Sequence, residues 1–195
     1  MIPLLSILIP TIIGRENEFS LLRSKIEKLR VKKEVELLYC IDNKEMTIGE
    51  KRGLLYENAK GVYSWQIDDD DTISDDSINL ILKAIESNQP CITFQECCYI
   101  NGERYTSNHS LKYDDWGEKQ DGFDYVRTPF FKSVIKTEIA KSVPIPNIRY
   151  GEDHEWARAL KPHLRNEVHI DKELYIYQHN SKPEDHNERY GFNND

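Results

Sequence analysis

The sequence is poor in cysteine, and the few cysteines it has do not follow a metal-binding pattern. Its four cysteines are Cys40, Cys91, Cys97 and Cys98, of which the last two are adjacent. This spacing does not match a zinc knuckle, and no export signal accompanies it. We therefore expect free thiols in a reducing cytoplasm.

The sequence also lacks a long hydrophobic run and an excess of positive charge. Its longest apolar stretch, residues 1–13, is too short for a membrane span and lacks the basic start and cleavage site of a signal peptide. We expect no membrane span and a cytoplasmic protein, in the host cytoplasm if the gene is viral. The formal net charge of −8 argues against a strongly basic nucleic-acid-binding module.

The first ninety residues contain a regular alternation of strand and helix patterns. A continuous apolar run at residues 4–9 predicts a strand buried on both faces, and residues 35–41 and 62–67 predict a second buried strand and a third strand. A helix pattern follows each of them, and a fourth strand is predicted at residues 91–100. This alternation predicts an α/β fold with a parallel, doubly wound sheet, and 195 residues suffice for its core.

Local signals predict where the helices begin and end. Residues 19–29 carry apolar side chains with helical spacing. Thr47 and Glu50 match a capping box at the start of the second helix, which we expect to end at Gly61. Ser74 is the predicted N-cap of the third helix.

The second half of the chain is less regular. Asn101–Gly102 predicts a tight hairpin, and residues 151–160 predict a helix with carboxylates in its first turn. Short strands are predicted at residues 167–170 and 174–178. We therefore expect a small antiparallel or irregular C-terminal part.

Polar clusters follow three of the predicted strands, at residues 11–15, Asp42–Asn43 and Asp68–Asp71. Ligands of open α/β sheets bind beyond the carboxyl ends of the strands. Four adjacent carboxylates raise one another's pKa unless a cation neutralises them, and such oxygen ligands suit Mg²⁺ or Mn²⁺. The alternative is a solvated acidic turn before a helix. The buried strand that leads into the turn favours a metal.

Two further clusters have a functional and a structural interpretation. Lys51 and Arg52 are placed to anchor a diphosphate, with Asp42 accepting from a base or ribose. Alternatively, both are ordinary exposed helix charges. The segment Gly151–Trp156 suits a general base beside a sugar ring, and the alternative is a helix cap with Trp156 in the core.

Taken in order, these segments resemble glycosyltransferases of the GT-A fold and the family 2 type. The segments that carry the resemblance are Ile7–Thr11, Asp42–Lys44, Ile48–Arg52, Ala59–Asp71 and Gly151–Trp156. The resemblance covers residues 4–100 continuously and then residues 148–180. It implies a GT-A (Rossmann-like), mostly parallel central sheet flanked by helices.

The resemblance also implies roles for particular residues. The predicted substrate-binding residues are Pro10, Thr11, Arg15, Asp42, Lys51, Arg52, Asp68, Asp69, Glu152 and Trp156. In the family a DxD motif, here Asp68–Asp70, binds ribose and a divalent metal, so Asp70 is the predicted ligand of Mn²⁺ or Mg²⁺. A late histidine often completes that metal site, which makes His179 the candidate.

The implied reaction is an inverting single displacement. Asp153 would deprotonate an acceptor hydroxyl, which attacks the anomeric carbon opposite the leaving nucleoside diphosphate. The metal at Asp70, with Lys51 or Arg52, would stabilise the charge on the diphosphate. The donor is expected to be a UDP-sugar, since uridine diphosphate is the commonest carrier in the family.

The resemblance also suggests how the chain is organised. Residues 1–100 would bind the nucleotide-sugar, residues 101–180 would form the acceptor and catalytic side of the same domain, and residues 181–195 would be a polar tail. The chain leaves little room for an acceptor subdomain. A partner or a second copy in a homo-oligomer is therefore the candidate source of one.

Three other functions remain open from the sequence. Asp68 to Thr72 match the DxDxT motif of haloacid-dehalogenase-type phosphatases, with Asp68 as nucleophile and Asp70 as acid/base, although that motif usually follows the first strand. A nucleotidyltransferase would need a glycine-rich phosphate loop after the first strand, which is missing. A silent binding module need not keep Asp70 and Asp153.

The sequence leaves the acceptor open among a saccharide, a lipid-linked sugar, a protein and a hydroxymethylated pyrimidine in DNA. Compact transferases of this kind also occur in phage genomes, where modified DNA is one type of acceptor. Arg127, Lys132, Lys136 and Lys141 form a local basic stretch that is expected to face a phosphate backbone if the acceptor is DNA.

Overall fold

The computed structural model describes residues 2–31 and 33–180. The strands found there are β1 (Leu5–Ile12), β2 (Val35–Asp42), β3 (Tyr63–Gln66), β4 (Thr72–Ile73), β5 (Cys91–Ile100), β6 (Glu103–His109), β7 (Gly117–Gln120), β8 (Phe123–Arg127), β9 (Val134–Lys136) and β10 (Glu167–His179). The α-helices are α1 (Glu16–Leu29), α2 (Ile48–Asn58), α3 (Ser77–Ile85), α4 (Thr137–Ser142) and α5 (Glu152–Leu160).

The strands form one sheet in the order β2-β1-β3-β9-β5-β6-β8-β7, with β10 paired to β5 and β4. Neighbouring strands are parallel in the pairs β1–β2, β1–β3, β5–β10 and β6–β8. The short strand β9 lies antiparallel between β3 and β5. The predicted GT-A (Rossmann-like) architecture, a central mostly parallel sheet flanked by helices, is confirmed.

Strand β1 shows how the sequence builds a core on both faces of the sheet. Its residues Leu5, Ile7 and Ile9 pack in a cluster that includes α1 and α3 residues. Leu8 points to the opposite face, where it joins residues of α2 and α5 such as Trp156. A strand covered on both faces reads as a continuous apolar run, which is the pattern seen at residues 4–9.

Several local predictions agree with the structure. The predicted face of α1 is buried at Phe19, Leu22 and Ile26. The backbone N–H of Glu50 donates to the Thr47 hydroxyl over 3.0 Å, so Thr47 caps α2. Asn101–Gly102 connects β5 to β6 with positive φ at both residues, 53° and 83°, as a tight type I′ hairpin turn requires.

Two predicted helix ends were wrong. Helix α2 ends at Asn58, and Gly61 serves close packing instead, because a Cβ atom there would lie 2.5 Å from the backbone nitrogen of Ser6. Helix α3 has Asp76 as its N-cap residue. The hydroxyl of Ser74 donates to the Asp76 carboxylate over 2.9 Å and does not cap the helix.

The two strands predicted at residues 167–170 and 174–178 are one strand, β10. Its pairing with β5 shifts register between Ile170 and Glu173 and again between Glu173 and Tyr175. These irregularities fall where the polar segment Asp171–Lys172 interrupts the apolar pattern. The break in the sequence pattern therefore reflects a bulge within one strand.

Among the described residues, no helix is both long and apolar enough to cross a bilayer. The polar tail predicted at residues 181–195 lies outside the described residues.

Candidate functional site

A cavity of about 380 Å³ opens at the carboxyl ends of β1, β3 and β10. This is the edge at which open α/β sheets bind their ligands. Nine of the predicted site residues line the cavity: Pro10, Thr11, Arg15, Lys51, Arg52, Asp68, Asp69, Asp70 and His179. Asp42, Glu152, Asp153 and Trp156 are not among its lining residues, although the first two contact residues that are.

The acidic turn Asp68–Asp71 follows β3 and is closed by a hydrogen bond from the Asp71 N–H to the Asp68 carbonyl over 3.1 Å. Its carboxylates are held by cations from other elements. Arg52 lies 2.9 Å from Asp68, while Arg15 lies 2.7 Å from Asp69 and 3.0 Å from Asp70. The turn is thus a fixed part of the cavity and not a freely solvated loop.

Charge crowding persists in this turn despite the cations. Burial raises the pKa of Asp70, the neighbouring Asp68 adds to the rise, and Arg15 opposes it. Burial likewise raises the pKa of Asp71, against the opposing effect of Lys132. The predicted mutual repulsion of the carboxylates is therefore present in the folded protein.

Lys51 and Arg52 are buried and ion-paired, so they are not ordinary exposed helix charges. Lys51 pairs with Asp42 and donates to the Thr11 carbonyl over 2.6 Å, which joins the ends of β1 and β2. The other oxygen of Asp42 accepts from the Met46 N–H over 2.8 Å. Lys51 and Arg52 both line the cavity.

Arg52 connects the two acidic motifs of the chain. It pairs with Asp68 on one side and lies 3.1 Å from Glu152 on the other. Its guanidinium group stacks over the ring of Phe131 at 3.5 Å, which fixes its plane. The start of α5 is thereby held next to the acidic turn.

The start of α5 presents two carboxylates with different surroundings. Gly151 takes the N-cap position with φ of 81°, and Glu152 is buried. Burial raises the pKa of Glu152, and Arg52 opposes the rise. Asp153 is half-buried and accepts from the His154 N–H over 2.8 Å. Within the described residues, Asp153 forms no salt bridge.

The predicted sugar-stacking role of Trp156 was wrong. Its ring is 1% exposed, stacks on Tyr56 at 5.5 Å and donates to the Val143 carbonyl over 2.9 Å. The aromatic side chains that line the cavity are Tyr150, which is 52% exposed, and Tyr177. The helical spacing of Trp156 and Leu160 was the sequence signal for a core position.

The basic stretch proposed to face DNA is only partly exposed: Lys132 is buried, Arg127 and Lys136 are half-buried, and Lys141 is exposed. Lys132 is buried against Glu96 and Asp71. Lys141 donates to the Ala59 carbonyl, and Arg127 donates to the Gly117 carbonyl while it lies over the ring of Trp116. The structure therefore removes Lys132 from a DNA-facing surface, whereas the other three basic residues keep some exposure.

The donor groups at the cavity decide whether a divalent metal fits there. No group of three or more His, Cys, Asp or Glu side chains in the described ranges is arranged to hold an ion. Asp70 is 44% exposed on the cavity, and His179 lines the same cavity with its ring parallel to that of Tyr177. Such a donor set fits Mg²⁺ or Mn²⁺ only together with phosphate oxygens, the usual arrangement for these ions.

Sequence reasoning missed five residues of the cavity wall: Ile12, Ile48, Tyr150, Tyr177 and Gln178. Two of them belong to the tyrosine-rich strand β10, which the chain brings beside the acidic turn through the pairing of β10 with β4. The signal in the sequence for Tyr177 and Gln178 was their position directly before His179.

No family model and no curated protein matches this chain. Solved structures do share its fold. S. aureus TarS residues 1–349 in complex with UDP aligns with a TM-score of 0.67 at 14% identity over 94% of this chain and 62% of that one. The same TarS segment in complex with UDP-GlcNAc aligns with a TM-score of 0.64 at 14% identity, covering 91% and 59%.

The complete S. aureus TarS aligns with a TM-score of 0.63 at 15% identity, over 94% of this chain and 38% of that one. This chain thus spans less than two thirds of the length of these structures. At such identities the likeness establishes the fold.

Proposed function

We propose that the protein transfers a sugar from a nucleoside diphosphate sugar, a UDP-sugar, to an acceptor hydroxyl. The observation that carries the proposal is the cavity at the carboxyl ends of β1 and β3, where Thr11, Arg15 and Asp68–Asp70 meet. Structures of the same fold were obtained in complex with UDP and UDP-GlcNAc. The cavity and the fold support the same class of donor.

The charge balance around the cavity supports a metal-assisted reaction. Six carboxylates, those of Asp42, Asp68–Asp71 and Glu152, face four cations, Arg15, Lys51, Arg52 and Lys132. A diphosphate adds further negative charge to this excess. We propose that Asp70, with His179, holds Mn²⁺ or Mg²⁺ against the diphosphate, and that the bound ion supplies charge neutralisation.

The chain's own residues would carry the remaining steps. Arg15 is 42% exposed on the cavity and is the cation placed to contact a phosphate directly. Asp42, held by Lys51, would accept from the base or ribose. Asp153 would take the proton of the acceptor hydroxyl as that oxygen attacks the anomeric carbon. The bond from this carbon to the diphosphate breaks, the nucleoside diphosphate leaves with the electron pair, and the configuration is inverted.

A saccharide is the better supported acceptor, because Lys132 of the proposed DNA-facing stretch is buried and an exposed aromatic ring lies at the cavity. Tyr150 lies exposed on the cavity wall, two residues before Glu152, where a sugar ring can stack on it. A transfer rate that falls steeply with added salt would instead indicate a nucleic-acid acceptor.

The test is a thermal-shift titration with UDP, with and without Mn²⁺. At a hundredfold excess over Kd, binding should add about 2.7 kcal/mol and raise the melting temperature by roughly 5 to 10 °C. The Asp70→Asn variant should lose the metal-dependent part of this shift. The matched control is Asp75→Asn, whose carboxylate is 88% exposed and pairs with Lys25 outside the cavity.

A shift that requires both UDP and Mn²⁺ and disappears in Asp70→Asn would support the proposal. Absence of a shift with any nucleoside diphosphate would overturn it. In that event hydrolysis of a generic phosphate ester by wild type and Asp68→Asn would test the phosphatase alternative, in which Asp68 is the nucleophile.

A further inference from the structure

A buried lysine lies behind the cavity wall, outside the set of residues that line it. The ammonium group of Lys132 is 2.6 Å from Glu96 and 3.6 Å from Asp71, and its side chain is 8% exposed. It also lies over the rings of Tyr175 at 4.5 Å and Tyr177 at 3.9 Å. One cation is thus shared between two buried carboxylates and two tyrosines of β10.

Asp71 links this lysine to the cavity. One carboxylate oxygen of Asp71 accepts from the Gln178 N–H over 2.9 Å, and the other accepts from the Tyr175 hydroxyl over 2.6 Å. The Tyr175 hydroxyl oxygen in turn accepts from the Asp68 N–H over 3.1 Å. The acidic turn is therefore fastened at both ends to the last residues of β10.

The position of Lys132 is itself fixed by neighbouring elements. The indole N–H of Trp65 donates to the Lys132 carbonyl over 2.7 Å, and the Gln66 N–H donates to the Phe131 carbonyl over 3.2 Å. Glu96 is held on its other oxygen by the ring of His109 at 3.0 Å. The ammonium group therefore sits on a rigid support at the end of β3.

We propose that Lys132 is a positioning residue of the nucleotide cavity: by compensating the charge of Asp71, it holds the Tyr177–Gln178 wall of β10 against the acidic turn. The inference rests on the proposed function for the identity of the ligand. Without Lys132, Asp71 and Glu96 would both lack a cation in the interior, and Asp71 would move toward solvent. That movement would release Gln178 from the cavity wall.

The test uses Lys132→Met, with Lys161→Met as the matched control. Lys161 is also a partly buried lysine with a carbonyl and a carboxylate partner, Tyr113 and Asp114, but it lies away from the cavity. The first readout is hydrogen exchange of the Gln178 amide, which needs no ligand. The second is the Kd of UDP in the presence of Mn²⁺, measured by calorimetry.

In Lys132→Met we expect Gln178 to lose protection and the Kd of UDP to rise by about tenfold or more, as is usual when a residue that supports ligand-binding groups is removed. Lys161→Met should change neither. Unchanged protection of Gln178 in Lys132→Met, with UDP affinity like that of wild type, would overturn the inference. Failure of wild type to bind UDP would overturn the proposed function, whereas the Gln178 readout still decides the role of Lys132.

The double variant Asp71→Asn/Lys132→Met separates positioning from general stability. It removes both charges and leaves an amide oxygen that can accept from Gln178. Protection and affinity should return to within about threefold of wild type. The melting temperature should stay lowered, because Glu96 still lacks its cation. Lys132→Gln, which keeps a polar group beside Glu96, replaces Lys132→Met if the latter does not fold. If protection, affinity and melting temperature all stay lowered in the double variant, or all three recover together, the inference is contradicted.

Discussion

The two acidic clusters of this protein, Asp68–Asp71 and Glu152–Asp153, look alike in sequence but differ in their cation partners in the folded structure. Each carboxylate of the first cluster faces a cation supplied by another element, as Arg15 and Arg52 do for Asp69 and Asp68. In the second cluster Glu152 is paired and buried, whereas Asp153 forms no salt bridge within the described residues. Every carboxylate of the first cluster is thus held by a cation, whereas the second cluster leaves Asp153 without one among the described residues.

The largest expected effect concerns that unpaired carboxylate. Asp153→Asn should lower the rate of UDP release from a UDP-sugar in the presence of acceptor by about 10² to 10⁴, the usual contribution of a general base. Stability and UDP affinity should stay close to wild type, because no ion pair is lost. Glu155→Gln, in the same helical turn, is the control. A variant that loses UDP binding together with activity would contradict this separation of the two clusters.

The next effect concerns the residue that joins the clusters. Arg52→Met leaves Asp68 and Glu152 without their buried cation, so the free energy of unfolding should fall by about 3 to 5 kcal/mol. Urea denaturation measures it. Arg158→Met is the control, since Arg158 is 67% exposed and 3.8 Å from Asp115, and its loss should cost less than about 0.5 kcal/mol. Equal effects of the two substitutions would show that Arg52 does not link the clusters.

Acid should weaken the support beneath the first cluster. Although burial opposes it, the charge of Lys132 and the hydrogen bond with His109 lower the pKa of Glu96 to about 2 from its ordinary 4.5. As the pH falls, Glu96 therefore becomes protonated in the unfolded chain before it does in the folded protein. Its stabilisation is complete above pH 4.5 and is lost as the pH falls toward 2. The loss should be roughly 3 kcal/mol.

Burial also lowers the pKa of His109 below 6.5, so its uptake of a proton on unfolding adds a loss of stability as the pH falls below that value. Urea denaturation from pH 7 to pH 2.5 should show a flatter profile for Glu96→Gln than for wild type in the range below pH 4.5. Glu103→Gln, an exposed position, should follow the wild-type curve. Parallel profiles for all three proteins would refute the assignment to Glu96.

The smallest effect concerns the open side of the site. Tyr150→Ala should weaken binding of a saccharide acceptor by about 1 kcal/mol, or roughly fivefold, through loss of ring stacking on the acceptor sugar. Tyr150→Phe keeps the ring and should bind like wild type. Binding of UDP alone should be the same in all three proteins. If UDP affinity falls as well, Tyr150 contacts the nucleotide and not the sugar.

The parts of the molecule that sequence reasoning predicted well are those whose signal is local. The apolar run at residues 4–9 specifies a strand covered on both faces. Asn101–Gly102 specifies the hairpin turn between β5 and β6 through backbone conformation alone. The order of the motifs along the chain led to the prediction of nine residues that line one cavity. Each of these signals lies within a short segment of the chain, although the nine cavity residues themselves span positions 10 to 179.

The parts that were missed depend on partners far away in the chain. Lys132 looked like a surface charge because its two carboxylates, Glu96 and Asp71, lie 36 and 61 positions earlier. Strand β9 has only three residues, and its place in the sheet follows from the edges that β3 and β5 leave open. No short window of sequence records such pairings.

The small strand β9 governs the order in which the sheet can be completed. Tyr63 of β3 pairs with Lys136, and Cys91 of β5 pairs with Ile135, so one short segment bridges both halves of the sheet. Contacts of this sequence separation slow folding, because a long loop must close before they form. During synthesis, β3 and β5 are made before β9, so each lacks this neighbouring strand until residue 136 has been added. Unpaired strand edges of this kind are prone to aggregation.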